Sequence, residues 1–207
     1  MVSTMPIDVE AVVRLHREMV VRWHQRGEVD VPYEGIEGVI CRQFTYNYLL
    51  WHEEDVARSP DVGDARIAAV KRAIDGYNQK RNDWMERIDD RITEELERQG
   101  VVADPDASQN TETPGSVIDR MSILALRIYH LEEEAGRSDA TPEHLESVQA
   151  KLAICLEQLD DLARSLGELL EDIFAGRKRH KTYRHLKMYN DPELNPYLYR
   201  AKKRRAG

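Results

Sequence analysis

Apolar residues recur every three or four positions along most of the chain, and no stretch alternates with the period of two that is typical of a β-strand. Segments with this helical spacing are separated by stretches that contain Gly and Pro. They cover residues 6–27, 36–58, 64–99, 113–136 and 141–176. The pattern predicts an all-α protein, an antiparallel helical bundle of about five helices, two of them long.

Residues typical of helix ends flank these segments. Asp8 is a predicted N-cap, and Gly27 is a predicted C-terminal stop. Thr113 and Thr141 each precede a proline, the combination expected where a helix begins. Asp64 follows a short turn containing Pro and Gly and is predicted to cap the third helix. So short a connection predicts that the second and third helices are antiparallel neighbours.

The third helix carries an unusual stripe of polar residues. Asn and Asp are poor helix formers because their side chains compete for nearby backbone groups. Here they recur at steps of three or four, which places them on one side of the helix. The stripe consists of Lys71, Asp75, Asn78, Asn82, Glu86 and Asp89. We interpret it as the wall of a ligand site.

The last predicted helix has a strict heptad pattern. Its apolar positions alternate steps of three and four, namely Leu145, Val148, Leu152, Cys155, Leu159, Leu162, Leu166, Leu169 and Ile173. Packing against other helices of the same chain is the interpretation we favour. A coiled coil between two copies, and therefore a homodimer, is the alternative.

Length and composition bound the class of protein. The 207 residues are enough for one domain with a proper core. Cys41 and Cys155 lie within helical patterns, so we expect buried free thiols in a reducing compartment. No segment approaches the roughly 20 apolar residues of a membrane span, and the N-terminus lacks a signal-peptide pattern. We therefore expect a cytoplasmic protein without a membrane span.

Charge is distributed unevenly along the chain. Residues 177–207 contain 11 Lys/Arg and 2 Asp/Glu, which leaves a net charge of −17 on residues 1–176. We therefore divide the chain into a helical bundle domain (1–176) and a basic C-terminal extension (177–207). The extension contains Tyr183, Tyr189, Tyr197 and Tyr199.

Disordered tails are poor in aromatic residues. We therefore expect the extension to pack on the acidic bundle as far as about residue 199, with a flexible end at 200–207. Binding of a polyanion or a membrane surface is the alternative. The sequence contains no nucleic-acid motif, and no nucleic-acid partner is expected.

His52 and Asp55 are the candidate catalytic pair. They lie three residues apart near the end of the second helix, so they share a helix face. The carboxylate would orient the imidazole for general acid/base catalysis. A metal site with Asp75, Glu86 or Asp89 is a weaker possibility, because paired Glu and Glu-x-x-His repeats are missing. We therefore assign no metal ligand and no cofactor, with a divalent metal left open. The alternative is a surface ion-pair cluster.

Asn78, Arg81, Asn82 and Glu86 are the candidate ligand-binding residues of the third helix. Amides both donate and accept hydrogen bonds, and a guanidinium binds planar anions with two parallel bonds. Together they suit a sugar or nucleotide with its phosphate. The alternative is a buried polar network that fixes how the helices align.

Two further groups complete the predicted site. Arg120 lies near the start of the fourth helix, where free backbone amides attract anions. Lys187, Tyr189 and Asn190 in the extension are predicted to close over the site as a basic lid. A purely structural strap is the alternative for the extension. The sequence contains no P-loop, dinucleotide fingerprint or zinc-site spacing.

Several blocks resemble the domain-of-unknown-function 4254 family of bacterial proteins. They are residues 50–58 (LWHEEDVAR), 71–75 (KRAID), 78–83 (NQKRND), 112–130 (ETPGSVIDRMSILALRIYH) and 187–196 (KMYNDPELNP). The resemblance runs from about residue 15 to residue 199. It implies a helical protein without an assigned chemistry or established catalytic residues. Family members often lie near sugar-transferase genes, which favours a nucleotide-sugar or phosphosugar ligand.

These observations lead to three functional hypotheses. The first is an enzyme or enzyme subunit that acts on a nucleotide-sugar or phosphorylated sugar, with glycosyl transfer as the reaction to test first. The second is a non-catalytic partner of a glycosyltransferase that docks through the heptad helix and the basic extension. The third is a metal-dependent phosphohydrolase.

Overall fold

A computed structural model describes residues 7–205 of the chain, with side chains through Arg200. The elements are α1 (Val9–Arg26), α2 (Gly35–Arg58), α3 (Asp64–Gln99), β1 (Ser108–Gln109), α4 (Pro114–Ala135), α5 (Pro142–Phe174), β2 (Lys178–Arg179), a short 3₁₀ helix (Met188–Asn190) and α6 (Pro196–Arg205). The all-α bundle is confirmed. The sequence pattern missed the short parallel pairing of β1 with β2, in which Ser108 lies opposite Lys178.

Local hydrogen bonds explain most of the helix ends. Asp8, Thr113 and Thr141 each accept a hydrogen bond from the backbone N–H three residues along, at 3.2 Å in all three cases. These bonds satisfy amides that the first turn of a helix leaves without partners. Gly27 follows α1 with a positive φ of 68°, which glycine adopts without strain. The predicted caps are therefore confirmed, although Pro6, the predicted first residue of α1, lies outside the described residues.

The predicted cap of α3 is wrong by one residue. Gly63 occupies the N-cap position without a side-chain hydrogen bond, and Asp64 is the first helical residue. A carboxylate in the first turn still favours the helix through its dipole. The connection of residues 59–63 turns the chain back, so α2 and α3 pack side by side as antiparallel neighbours.

A single main core joins α1 to α5. Large side chains from each of α1 to α5 are almost fully buried in it, among them Trp23, Phe44, Ile88, Met121 and Leu170. Burying a side chain of this size contributes about 1.5–3 kcal/mol. Cys41 and Cys155 are buried free thiols, as the sequence predicted. Burial raises the pKa of the Cys41 thiol to about 12, so this group stays protonated.

The heptad positions of α5 face α4 within the same chain. Cys155 packs with Leu124 and Ile128 of α4 in a second apolar cluster, which Leu152 and Leu159 border. The favoured interpretation, packing within one chain, is therefore confirmed for this stretch. The homodimer stays a prediction.

The basic extension packs on α3 through complementary charges. Arg184 pairs with Asp90 and Glu86, and the His185 backbone N–H donates to Glu86 at 2.6 Å. His180 Nε2 lies 3.0 Å from the Asp89 carbonyl oxygen. The predicted packing of the extension is therefore confirmed for this stretch. Residues 200–205 of the end expected to be flexible belong to α6, and 206–207 lie outside the described residues.

No helix in the described part of the chain is both long and apolar enough to cross a membrane.

Candidate functional site

The polar stripe of α3 leads into a buried network centred on Asp119 of α4. Arg81 donates two hydrogen bonds to this carboxylate, and the one from Nε to Oδ1 measures 2.6 Å. Gln43 Nε2 and Asn47 Nδ2 of α2 donate to the same oxygen at 2.6 and 2.9 Å. Asp119 is only 5% exposed, so these donors replace the water that the charge has lost. The hydrogen bond to Asp119 raises the pKa of Arg81.

Ser122 extends this network along α4. It accepts a hydrogen bond from Asn47 Nδ2 at 2.7 Å and donates one to the Asp119 carbonyl at 2.8 Å. The network thereby ties α2, α3 and α4 together at one level of the bundle. Arg81 therefore takes the structural role that the sequence analysis named as the alternative, since its guanidinium is already paired.

A cleft opens to the surface above this network, and we call it the polar cleft. It lies between α2, α3 and α4 and has a volume of about 450 Å³. Its lining residues are Asn47, Leu50, Trp51, Glu54, Asp55, Arg58, Asn78, Arg81, Ile123 and Leu126. The walls thus combine an indole, two carboxylates, two amides and two guanidinium groups. That combination of apolar surface and a few convergent polar groups is typical of a small-molecule site.

Of the predicted pair His52 and Asp55, only Asp55 lines this cleft. Asp55 lines the cleft, whereas His52 packs among the rings of His24, Tyr48 and His130. The two groups approach to 3.8 Å between Nδ1 and Oδ2, which is within ion-pair range but too long for a hydrogen bond. Burial, and after it the electrostatic interaction with His24, lowers the pKa of His52, so its imidazole is neutral at pH 7.

His24, His52 and His130 pack against one another and form a histidine cluster. Each of the three has a buried Nε2 atom without a hydrogen-bond partner. The Nδ1 atoms are engaged elsewhere, at 2.7 Å from the Val20 carbonyl for His24 and at 2.9 Å from Glu133 for His130. Within residues 7–205, no group of three or more His, Cys, Asp or Glu side chains is placed to hold a metal ion.

Glu86 holds the extension in place. Its carboxylate accepts the backbone N–H of His185 and pairs with Arg184. Asn82, the other predicted ligand of this helix, does not line the polar cleft. Of the predicted residues on α3, Asn78 and Arg81 reach the cleft.

The extension brings Lys187 towards the same region. Burial, and after it the charge of Arg81, lowers the pKa of Lys187, so the two cations are close enough to repel each other. Tyr189 lies further along and is a minor influence on the pKa of Lys71, which is raised chiefly by the hydrogen bond of Lys71 to Asp75; Asn190 ends the short 3₁₀ helix. Lys187 is therefore the one predicted lid residue with a described electrostatic link to a cleft residue.

Arg120 faces away from the polar cleft. It pairs with Glu112 at the rim of a separate cleft of about 610 Å³ between α4 and α5. The neighbouring residue, Asp119, points the other way into the network. Asp55, Asn78 and Arg81 thus line one cleft, whereas His52, Arg120 and Tyr189 do not line it.

A model of a family of proteins of unknown function, DUF4254, matches residues 37–182. The chain belongs to this family. The matched range contains all residues that line the polar cleft and all members of the Asp119 network. No curated protein and no solved structure matches the chain.

Sequence reasoning missed the centre of the site in this DUF4254 member. Gln43, Asn47, Asp119 and Ser122 are all buried, yet none was a predicted site residue. One signal was available, because Asn47 interrupts the apolar face of its helix. Another was that Asp119 falls within the apolar, core-facing part of α4, where an unpaired carboxylate is costly.

Proposed function

We propose that this protein binds a nucleotide-sugar or a phosphorylated sugar in the polar cleft, and that it acts as a cytoplasmic enzyme or enzyme subunit. The observation that supports the proposal is the meeting of Trp51, Asp55, Asn78 and Arg58 around one cleft of about 450 Å³. That volume lies within the range of roughly 300–1,000 Å³ typical of ligand sites. Glycosyl transfer is the reaction to test first.

The cleft offers partners for a sugar ring. The Trp51 indole gives an apolar face against which ring carbons pack, and it is held by stacking on His130 at a ring distance of 4.9 Å. The side chain of Asn78 makes no hydrogen bond to the described residues and lines the cleft, so its amide is free to bind hydroxyl groups. The carboxylate of Asp55 can accept hydrogen bonds from further hydroxyl groups of the sugar.

A phosphate would require a cation that is not already engaged in the core. Arg81 is held by Asp119, which leaves Arg58 and Lys187. Arg58 donates to Glu54 at 2.7 Å on the surface, and such exposed pairs contribute little, so a phosphate can replace the carboxylate. Bound phosphate would also relieve the repulsion between Lys187 and Arg81.

Asp55 is the proposed general base because it is the carboxylate of the predicted pair that lines the cleft. It would take a proton from the acceptor hydroxyl group as the oxygen of that group bonds to the anomeric carbon of the sugar. The bond from this carbon to the phosphate oxygen breaks at the same time, and the phosphate or nucleoside diphosphate leaves. His52 lies 3.8 Å from Asp55, and catalytic hydrogen bonds of this kind tighten when the ligand binds, so neutral His52 would then donate Nδ1–H to the carboxylate and orient it. His52 is thus proposed as a positioning residue in place of a direct proton carrier.

Binding is tested by thermal shift and calorimetry with nucleoside diphosphate-sugars and hexose phosphates, each with and without divalent metal. A ligand at about 100 times its Kd adds about 2.7 kcal/mol of stability, which raises the unfolding midpoint by roughly 5–10 °C. Asn78→Leu should abolish the shift. Gln79→Leu is the matched control, since Gln79 bonds to Asp83 outside the cleft. No shift with any of these compounds would overturn the proposal.

Catalysis is tested separately once a ligand is known. Asp55→Asn should still bind the ligand, because its amide oxygen accepts hydrogen bonds, but should lose turnover, whereas His52→Ala should reduce turnover and alter its pH profile. Unchanged turnover in Asp55→Asn would contradict the base role while leaving the binding site intact.

The two other hypotheses have less support. A non-catalytic partner of a glycosyltransferase was expected to dock through the heptad helix, but the heptad positions from Leu152 to Leu162 pack towards α4 of the same chain. A metal-dependent phosphohydrolase requires a cluster of metal ligands, and residues 7–205 contain none in a suitable arrangement.

A further inference from the structure

The end of the extension exposes an unusual number of large apolar side chains. We call residues 186–205 the exposed arm, in which the side chains of residues 186–200 are described. Its exposed apolar residues are Leu186, Met188, Tyr189, Leu194, Tyr197 and Leu198, with Leu186 at 83% and Tyr197 at 84% exposure. Across the rest of the described chain, large exposed apolar residues are few and scattered. Contiguous exposed apolar residues mark interaction sites in soluble proteins.

The two halves of the extension differ in their charged residues. Residues 177–185 place Arg177 and Lys178 on Asp172, and Arg184 on the acidic side of α3. The exposed arm ends instead in Arg200, Lys202, Lys203, Arg204 and Arg205, and no acidic residue follows Glu193. Helix α6 (Pro196–Arg205) therefore joins apolar side chains in its first turn to a dense run of cations.

We propose that the exposed arm binds the surface of an anionic lipid bilayer. The aliphatic side chains and tyrosines would enter the boundary between headgroups and acyl chains, while the cations contact lipid phosphates. Four of the six exposed apolar residues are aliphatic. Burial among lipid acyl chains stabilises aliphatic side chains, whereas stacking on nucleic-acid bases requires aromatic rings. That distinction favours a membrane over a nucleic acid. The contact is superficial, since no described helix can cross a bilayer.

The charge of the remaining chain supports attachment through the arm alone. Residues 1–185 hold 24 Lys/Arg and 36 Asp/Glu, a net charge of −12, so an anionic surface repels the bundle while it attracts the arm. Salt screens such interactions over about 8 Å at physiological ionic strength. Binding should therefore weaken as salt is raised.

Co-sedimentation of the full chain with vesicles tests the proposal. The protein should sediment with phosphatidylcholine vesicles that contain phosphatidylglycerol, and remain in solution with phosphatidylcholine alone. Changing Lys202, Lys203 and Arg204 to Gln should weaken binding by about a hundredfold, at roughly fivefold for each cation. Changing Leu194, Tyr197 and Leu198 to Ser should weaken it by about tenfold or more.

The matched control is the pair Val102→Ser and Ile154→Ser, which removes exposed apolar side chains outside the arm. It should bind like the unchanged protein, and unchanged unfolding midpoints would show that all variants are folded. Equal sedimentation with both kinds of vesicle, or with neither, overturns the proposal. Binding that single-stranded RNA displaces and that the serine variant retains would also overturn it, because it would identify a general polyanion site.

Discussion

His16 is a buried titratable group whose protonation should weaken the fold. It faces the core from α1, is only 1% exposed, and packs edge-on against Phe44 with ring centroids 4.8 Å apart. Neither ring nitrogen has a hydrogen-bond partner. Burial lowers the pKa of His16 from its ordinary value of 6.5 to about 3. In the folded protein the ring is therefore neutral throughout the mildly acidic range.

The direction of the pH effect follows from this lowered pKa. Below about pH 6.5 the unfolded chain takes up a proton on His16 while the folded chain does not, so the free energy of unfolding falls as the pH falls. The loss approaches about 1.4 kcal/mol per pH unit and amounts to about 2 kcal/mol between pH 7 and pH 5. It stops growing only near the folded-state pKa of about 3.

Replacing His16 by Leu removes this proton uptake and the two unpartnered nitrogens. Urea unfolding at pH 7 and pH 5 should show a difference between the two pH values that is smaller by about 2 kcal/mol in His16→Leu than in the unchanged protein. His144→Gln is the control, because that imidazole is exposed and pairs with Glu134 on the surface. If His16→Leu lost as much stability between the two pH values as the unchanged protein, the neutral, buried state of His16 would be refuted.

Two further predictions concern the network and the contact between α3 and α4. Asp119→Ala leaves the Arg81 guanidinium buried without its partner and should lower the free energy of unfolding, measured in urea, by about 3–5 kcal/mol. Asp161→Ala removes a carboxylate on the surface and should lower it by less than about 1 kcal/mol. Equal effects of the two changes would contradict a structural role for Asp119. Gly115→Ala places a Cβ atom 2.6 Å from the Met85 carbonyl oxygen and should cost about 1–3 kcal/mol. Gly167→Ala meets open space inside α5 and should stabilise by about 0.5–1 kcal/mol, so a destabilised Gly167→Ala or a neutral Gly115→Ala would show that the helices pack differently.

Sequence reasoning succeeded where a structural feature depends on near neighbours. The starts of α1, α4 and α5 were predictable because a side chain such as Thr113 caps amides only three residues away. The packing of the extension was predictable for a different reason, since opposite net charges attract whatever the exact contacts are. The cap of α3 was placed one residue late because Asp64 and Gly63 are both acceptable at a helix start.

The candidate site was predicted only in part. The spacing of Asn78 and Arg81 placed both on one side of α3, and both reach the polar cleft. The same spacing argument put His52 beside Asp55, which is also correct at 3.8 Å. Their neighbours differ, because Asp55 lines the polar cleft whereas His52 packs against the rings of His24, Tyr48 and His130. A helical period locates a side chain on its own helix but not the helices that pack around it.

The sequence by itself determined the helices, the apolar faces that join them, and the acidic bundle with its basic extension. Only the tertiary structure decided what each polar group of the α3 stripe does. Arg81 is held by Asp119, which is 38 residues away, and Glu86 by Arg184, which is 98 residues away. Helix formation is governed by local backbone geometry and capping, whereas the role of a charged side chain depends on partners that long-range packing brings within hydrogen-bond distance. That physical difference is why the stripe predicted a site, while the packing of α2, α3 and α4 determined which of its residues line the polar cleft.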